Sequence, residues 1–160
     1  MAVGLSVQRG AFLGAVLVWL CYFPHWKPTE DPVAKLSVFS TTPAIRHYPS
    51  NILWEIIGTL VLVVGVAAIF RPTSHGHPIG GWGPYLVGIL VWGDGLSLGG
   101  PTGYAINPAR DLGPGIAYAL LPISGKGSSD WRYAWVPIVE PLIGVGLGAI
   151  IWYVMLNHLH

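Results

Sequence analysis

Gly103-Tyr104-Ala105-Ile106-Asn107-Pro108-Ala109-Arg110-Asp111-Leu112-Gly113-Pro114 is the stretch on which the fold turns. It lies where an apolar run stops and a short helix begins. Asn107 suits the N-cap, and Pro108 suits the first helical position, where a missing N–H costs nothing. Asp111 falls in the first turn, favoured by the positive end of the helix dipole. Arg110 is the anomaly, because a cation at that end opposes the dipole and needs another use. In a strongly apolar chain, a helix start carrying a fixed charge points to a broken helix lining a wet passage.

The rest of the chain is strongly apolar. Of its 160 residues, 52% are hydrophobic and only 9% charged, and mean hydropathy is +0.58. Soluble domains carry about 25% charged residues. Eight Trp and seven Tyr fit rings anchored at a lipid–water boundary. Many of the 22 Gly lie inside or beside apolar runs, where they read as points of close helix contact. A net charge of +1 gives no basic surface for nucleic acid. The single Cys21 excludes an internal disulfide and a Cys-based zinc site. Gln8 and Arg9 interrupt the apolar start, so no cleavable signal peptide is expected.

Crossing a bilayer core of about 30 Å takes roughly 20 residues. On that measure four spans are expected, over about 5–23, 52–70, 82–100 and 135–156, each carrying a charge: Arg9, Glu55, Asp94 and Glu140 respectively. A long polar loop covers 24–50, and a short one 71–81. The segment 107–121 is apolar but too short to cross, so it reads as a re-entrant half-helix bounded by Pro114 and Pro122. A surface helix lying flat in the interface is the alternative. Lys27, Lys35 and Arg46 in one loop, Arg71 in the next, and Lys126 and Arg132 in the last leave orientation open on the positive-inside rule.

A loop at membrane depth is tolerated only where protein buries it or water wets it. Backbone carbonyls ahead of Asn107 would replace the hydration of a passing hydroxyl-bearing solute. The Asn107 amide would donate to the same solute. Arg110 and the half-helix dipole would repel protons and other cations. Tyr104 would offer an aromatic face, or act only as an interfacial anchor. Glu55 reads as a clamp on loop amides, a proton relay, or a lone costly acid.

At the level of these motifs the chain resembles the aquaporin, or major intrinsic protein, family. The Asn107-Pro108-Ala109-Arg110 run in its context resembles the second Asn-Pro-Ala motif of that family. Asp111 directly after Arg110 resembles the glycerol-facilitator branch. Further similarity lies in Trp54-Glu-Ile-Ile-Gly-Thr59, Gly95-Leu-Ser-Leu-Gly-Gly100 and the segment from Trp135, covering about Gly10 to Tyr153. The resemblance implies an all-α membrane protein in a tetramer of channels, each channel built from two inverted repeats of three spans and a half-helix, with both termini cytoplasmic. Here it implies about four transmembrane helices plus one re-entrant half-helix: the second repeat and the last helix of the first, an N-terminally truncated member. It puts Arg110 and Tyr104 at selectivity-filter positions, Asn107, Pro108 and Ala109 in the central motif, and the carbonyls of Gly103, Tyr104 and Ala105 on the solute path. Glu55 falls on a buried glutamate that accepts hydrogen bonds from the re-entrant loop, and Asp111 is expected to support that loop.

Departures from the pattern are as specific. Two spans, the first half-helix and one filter aromatic have no counterpart here. Asp94 and Glu140 replace small or apolar residues, and read as a proton path, acquired damage or water-facing positions. Gly115 stands where a basic residue is common. Small-residue spacings at Gly10/Gly14, Gly95/Gly99 and Gly144/Gly148 predict close packing on one helix face. His75/His77 and His158/His160 read as ordinary loop and terminal histidines, so no metal is expected. No nucleophile–base pair or phosphate-binding loop stands out, and Ser128-Ser129-Asp130 reads as a turn.

The expectation is therefore a multi-pass cell-membrane channel, not an enzyme and without a cofactor, passing glycerol and water passively. Its partners would be the lipid bilayer and other copies, as a tetramer, or full-length subunits. The alternatives are a non-conducting remnant packed with full-length subunits, and an ion-coupled transporter using Asp94 and Glu140.

Overall fold

A computed structural model of the protein describes residues 2–71 and 81–158, with side chains at 2, 3, 157 and 158 left aside. The described residues form six helices and a 3₁₀ turn, with no strand among them. In order these are α1 (Ala2–Cys21), the turn (Phe23–His25), α2 (Pro32–Ser37), α3 (Tyr48–Ile69), α4 (Gly83–Leu98), α5 (Pro108–Leu120) and α6 (Val136–His158).

Three of these, over Gly4–Cys21, Tyr48–Ile69 and Val136–Leu156, are long and apolar enough to cross a membrane. Proline sets several boundaries. With Pro49 in its first turn, α3 starts at Tyr48, four residues ahead of the expected Ile52, and Pro84 lies in the first turn of α4. α4 has 16 residues where a full span was expected. That is about 24 Å of helix at 1.5 Å per residue. α5 tolerates Pro114 inside it and ends at Leu120, because Leu121 takes the extended backbone that a following proline favours.

α3 is the hub, packed on α6 and α4, while α5 packs on α1 and touches α6. The α3–α6 seam is close because glycine makes it so. A methyl group added at Gly144 would stand 2.6 Å from the Thr59 side chain, and one at Gly148 2.9 Å from Val63. The other small-residue pairs do different work. Gly10 and Gly14 meet nothing, and Gly95 and Gly99 lie against the Tyr104 side chain.

The true hydrophobic core is small and sits at one end of the bundle. There Trp26 stacks on Phe39 at 5.7 Å, and Phe39 meets Tyr118 at 5.4 Å, with Ala15, Leu36, Ala117 and Ile123 around them. At the same end Tyr48 packs on Trp135 and Tyr133, and Arg46 lies over the Tyr133 ring. Arg46 also makes a two-pronged ion pair with Asp130, which raises its pKa further. Elsewhere the helices present apolar side chains outward, among them Leu17, Leu142, Ile150 and Tyr153. A soluble domain would bury such stripes; a bilayer solvates them.

Candidate functional site

The segment between α4 and α5 returns to the end of the bundle from which it came. It leaves α4 where the Trp54 indole N–H donates to the Leu98 carbonyl, near the first turns of α3. It reaches mid-length of α3, where a methyl group on Gly58 would stand 3.3 Å from Ile106. α5 then carries the chain back to the aromatic core at Tyr118.

Local sequence explains the turning point. Gly103, Tyr104 and Ile106 take φ of 85°, 58° and 41°, a left-handed backbone in which a bulky residue is unusual. Glu55 holds it there. Its two oxygens accept from the Ala105 and Ile106 N–H groups at 3.0 and 2.9 Å, and the residue is only 2% exposed. In a trans peptide the carbonyl opposes the following N–H. The Tyr104 and Ala105 carbonyls therefore point away from Glu55. Asn107 then caps α5 with its side-chain oxygen on the Ala109 N–H at 2.9 Å, and Pro108 is the first helical residue.

These residues line a groove of about 320 Å³ bounded by Tyr104, Ala105, Ile106, Asn107 and Arg110, with Leu62 and Val91 opposite. Gly103 is exposed at the approach, and Ala109 is buried beneath the helix start. Arg110 stays half-open, its side chain 44% exposed. One guanidinium nitrogen reaches the Phe39 carbonyl at 3.4 Å and lies 3.8 Å from Asp111. That is a loose contact, because the same Asp111 oxygen already accepts from the Thr41 N–H and hydroxyl at 2.6 and 2.7 Å. Asp111 thus fastens the loop around Thr41 to α5 and leaves Arg110 free to face the groove. The support expected of Asp111 goes to this loop, and Glu55 is what holds the backbone before Asn107.

Tyr104 differs from the aromatic face expected for a solute. Its left-handed backbone turns the ring into the seam of α3 and α4, where the hydroxyl donates to Asp94 Oδ2 at 2.9 Å. Asp94 and Glu140 are also not water-facing, at 4% and 0% exposure. Among the described residues Glu140 accepts only from the Thr59 hydroxyl, at 3.2 Å. Gly103, Tyr104, Ala105, Asn107 and Arg110, with Glu55 and Asp111, gather around one groove and its supports; Glu140 stands apart.

Sequence reasoning missed three supports. Thr41 and Phe39 act from the long polar loop, about seventy positions away, with no local signal. Lys126 donates to the carbonyls of Tyr118, Ala119 and Leu121 at 2.7–2.8 Å, ending α5. A basic residue shortly after a helix end is a readable C-cap signal. Among the described residues no group of three His, Cys, Asp or Glu could hold a metal. His75, His77 and His160 lie outside the described residues.

The sequence matches the profile described as Major intrinsic protein over residues 6–152. It is 60% identical over 143 residues to the probable glycerol uptake facilitator protein of Thermotoga maritima, covering 89% of this chain and 59% of that protein. It is 56% identical to the glycerol uptake facilitator protein of Bacillus subtilis, covering 89% and 51%. A D/L-lactic acid transporter of Lactiplantibacillus plantarum is 41% identical, covering 90% and 59%. The chain thus spans between half and three-fifths of the length of these relatives.

Proposed function

Because the chain belongs to the major intrinsic protein family, and is on that ground an integral membrane protein and not an enzyme, we propose that its groove passes small uncharged solutes, glycerol and water foremost, down their gradient. One observation carries this reading. The Glu55 carboxylate binds two loop amides, turning the paired carbonyls away from itself, in a backbone that lines a groove together with Asn107 and Arg110. A passing hydroxyl then finds acceptors in the carbonyls of Tyr104 and Ala105, and donors in Asn107 and Arg110. Arg110, half-exposed beside a helix N-terminus, opposes protons and other cations. Nothing in this scheme makes or breaks a covalent bond.

In the membrane, segment 99–121 is a re-entrant loop and half-helix, and α1, α3, α4 and α6 are the spans. The short α4 crosses with help from the loop that continues it. The outward apolar faces of α1 and α6 fit the lipid bilayer and further copies of the channel. Names among the relatives favour glycerol, while the lactic acid relative shows that such likeness leaves room for other small hydroxylated molecules.

The test is swelling of proteoliposomes that contain the purified 160-residue chain. Glycerol flux above that of empty vesicles, indifferent to a proton gradient, is the expected result. Flux equal to that of empty vesicles would overturn the reading.

A further inference from the structure

Asp94 is an expensive residue with little visible return. It is 4% exposed, on an apolar helix, and its Oδ1 has no hydrogen-bond partner. The ion pairs among the described residues join Arg46 to Asp130 and Arg110 to Asp111, so no cation offsets it. A polar group buried in such a setting is tolerated where a hydrogen bond offsets its cost. Among the described residues its one side-chain hydrogen bond is with Tyr104, whose hydroxyl donates to Oδ2.

The surroundings fit that contact. Methyl groups added at Gly95 and Gly58 would stand 3.4 and 3.9 Å from the Tyr104 ring, at ordinary contact distance, so the ring lies against both α4 and α3. Val91, three residues before Asp94 on the same helix face, lines the groove, as does Tyr104 itself. The ring is thus at the edge of the solute path, packed aside into the seam. Its left-handed backbone is unusual for a bulky residue, and the hydroxyl bond to Asp94 gives the ring a fixed end.

We propose that Asp94 is a positioning residue for the groove: its carboxyl pins the Tyr104 ring in the α3–α4 seam and so sets the width left for a solute beside Arg110. A freed ring swings over the path. Glycerol then loses more than water, which needs less room. The flux arm of the test rests on the conduction reading above; the spectroscopic arm does not.

The experiment compares Asp94→Ala, Tyr104→Phe, their double variant and Asp94→Asn with the unaltered chain. In proteoliposomes the readout is the glycerol-to-water permeability ratio, which cancels differences in protein amount. Each of Asp94→Ala and Tyr104→Phe lowers that ratio about threefold or more, the population change that loss of one hydrogen bond allows. The double variant lowers it no further, because both substitutions remove the same contact. Asp94→Asn keeps an amide oxygen for the hydroxyl and keeps the ratio. An unchanged ratio in Tyr104→Phe, the mildest substitution, overturns the proposal, as do additive single effects. Ring-labelled tyrosine NMR reads the same contact without transport, with Tyr104→Phe assigning the signal. Asp94→Ala shifts the Tyr104 ring signal and speeds its flipping, and Asp94→Asn does neither. If the unaltered chain carries no flux, the conduction reading falls and the ring signal alone decides. A Tyr104 signal indifferent to Asp94→Ala then overturns the pin.

Discussion

The two ends of the segment that turns back pose the same problem and solve it with opposite charges. At the deep end, amides without helical partners meet the Glu55 carboxylate. At the shallow end, carbonyls left over by α5 meet the Lys126 ammonium. Both are charge-assisted contacts to orphan backbone groups. Their surroundings differ. Glu55 is buried between helices, whereas Lys126 is only partly buried, in a loop that water reaches. A lost partner at the deep end has no substitute; one at the shallow end has water. The lesson is that burial, and not the number of hydrogen bonds, ranks the two: Lys126 makes three and should matter less.

The sharpest way to break that ranking is at Glu55. Glu55→Ala leaves the buried Ala105 amide and the part-buried Ile106 amide unpaired, costing roughly 1–3 kcal/mol for the first and less for the second. It should give the largest fall in unfolding midpoint in detergent, together with rapid hydrogen exchange at Ala105 and Ile106. Glu55→Gln keeps one acceptor and should fall about halfway between. Equal midpoints for Glu55→Ala and the unaltered chain would remove the clamp from the account.

Asp111 comes next, since it joins α5 to a loop and not to the groove backbone. Asp111→Ala orphans the buried Thr41 N–H, while the Thr41 hydroxyl can turn elsewhere. A loss of about 2 kcal/mol is expected. The Arg110 guanidinium also loses its loose neighbour, so exposure of the loop to protease should rise with the fall in stability. Lys126→Met then tests the shallow end. Water replaces the ammonium at three carbonyls, and the loss should be about 1 kcal/mol or less. A cost above that of Glu55→Ala would reverse the comparison.

How much of this was legible follows the same division between local and distant partners. Asn107 and Pro108 announce the α5 start because capping is decided within three residues. Glu55 could be read from an acid stranded in an apolar run beside a loop full of amides. Thr41 and Phe39 could not, since nothing in a polar loop marks which residue will reach Asp111 or Arg110. The direction of the Tyr104 ring was hidden for another reason. Left-handed φ at a non-glycine residue is rare, and no local pattern marks Tyr104 as adopting it. Small-residue spacing was equally blunt, because three such pairs were present and only Gly144 and Gly148 bring two helices together. The long helices were readable from hydropathy, apart from the shortened α4, whose boundaries are set by Pro84 and the turn at Gly99; the short α2 was not, since it lies within the loop expected over 24–50.

Glu140 supplies the smallest effect and the most discriminating one. It is as buried as Glu55 and lies against the same helix, through Thr59, one turn beyond Glu55. Yet it holds no backbone group, and its Oε1 has no partner. If burial alone ranked these residues, Glu140 and Glu55 would be equally sensitive. If burial matters because it strands backbone partners, Glu140→Gln should be nearly silent. Glutamine matches its shape, keeps an oxygen for the Thr59 hydroxyl, and exchanges one unpartnered oxygen for an unpartnered amide. The expected change in stability is within about 1 kcal/mol, because the hydrogen bond from Thr59 is kept and only the unpartnered end of the side chain changes. Glycerol flux should also be unaltered, with or without a proton gradient. A flux lost in Glu140→Gln while stability holds would mean that a proton-carrying group takes part in transport, and the passive scheme at the groove would have to give way to a coupled one.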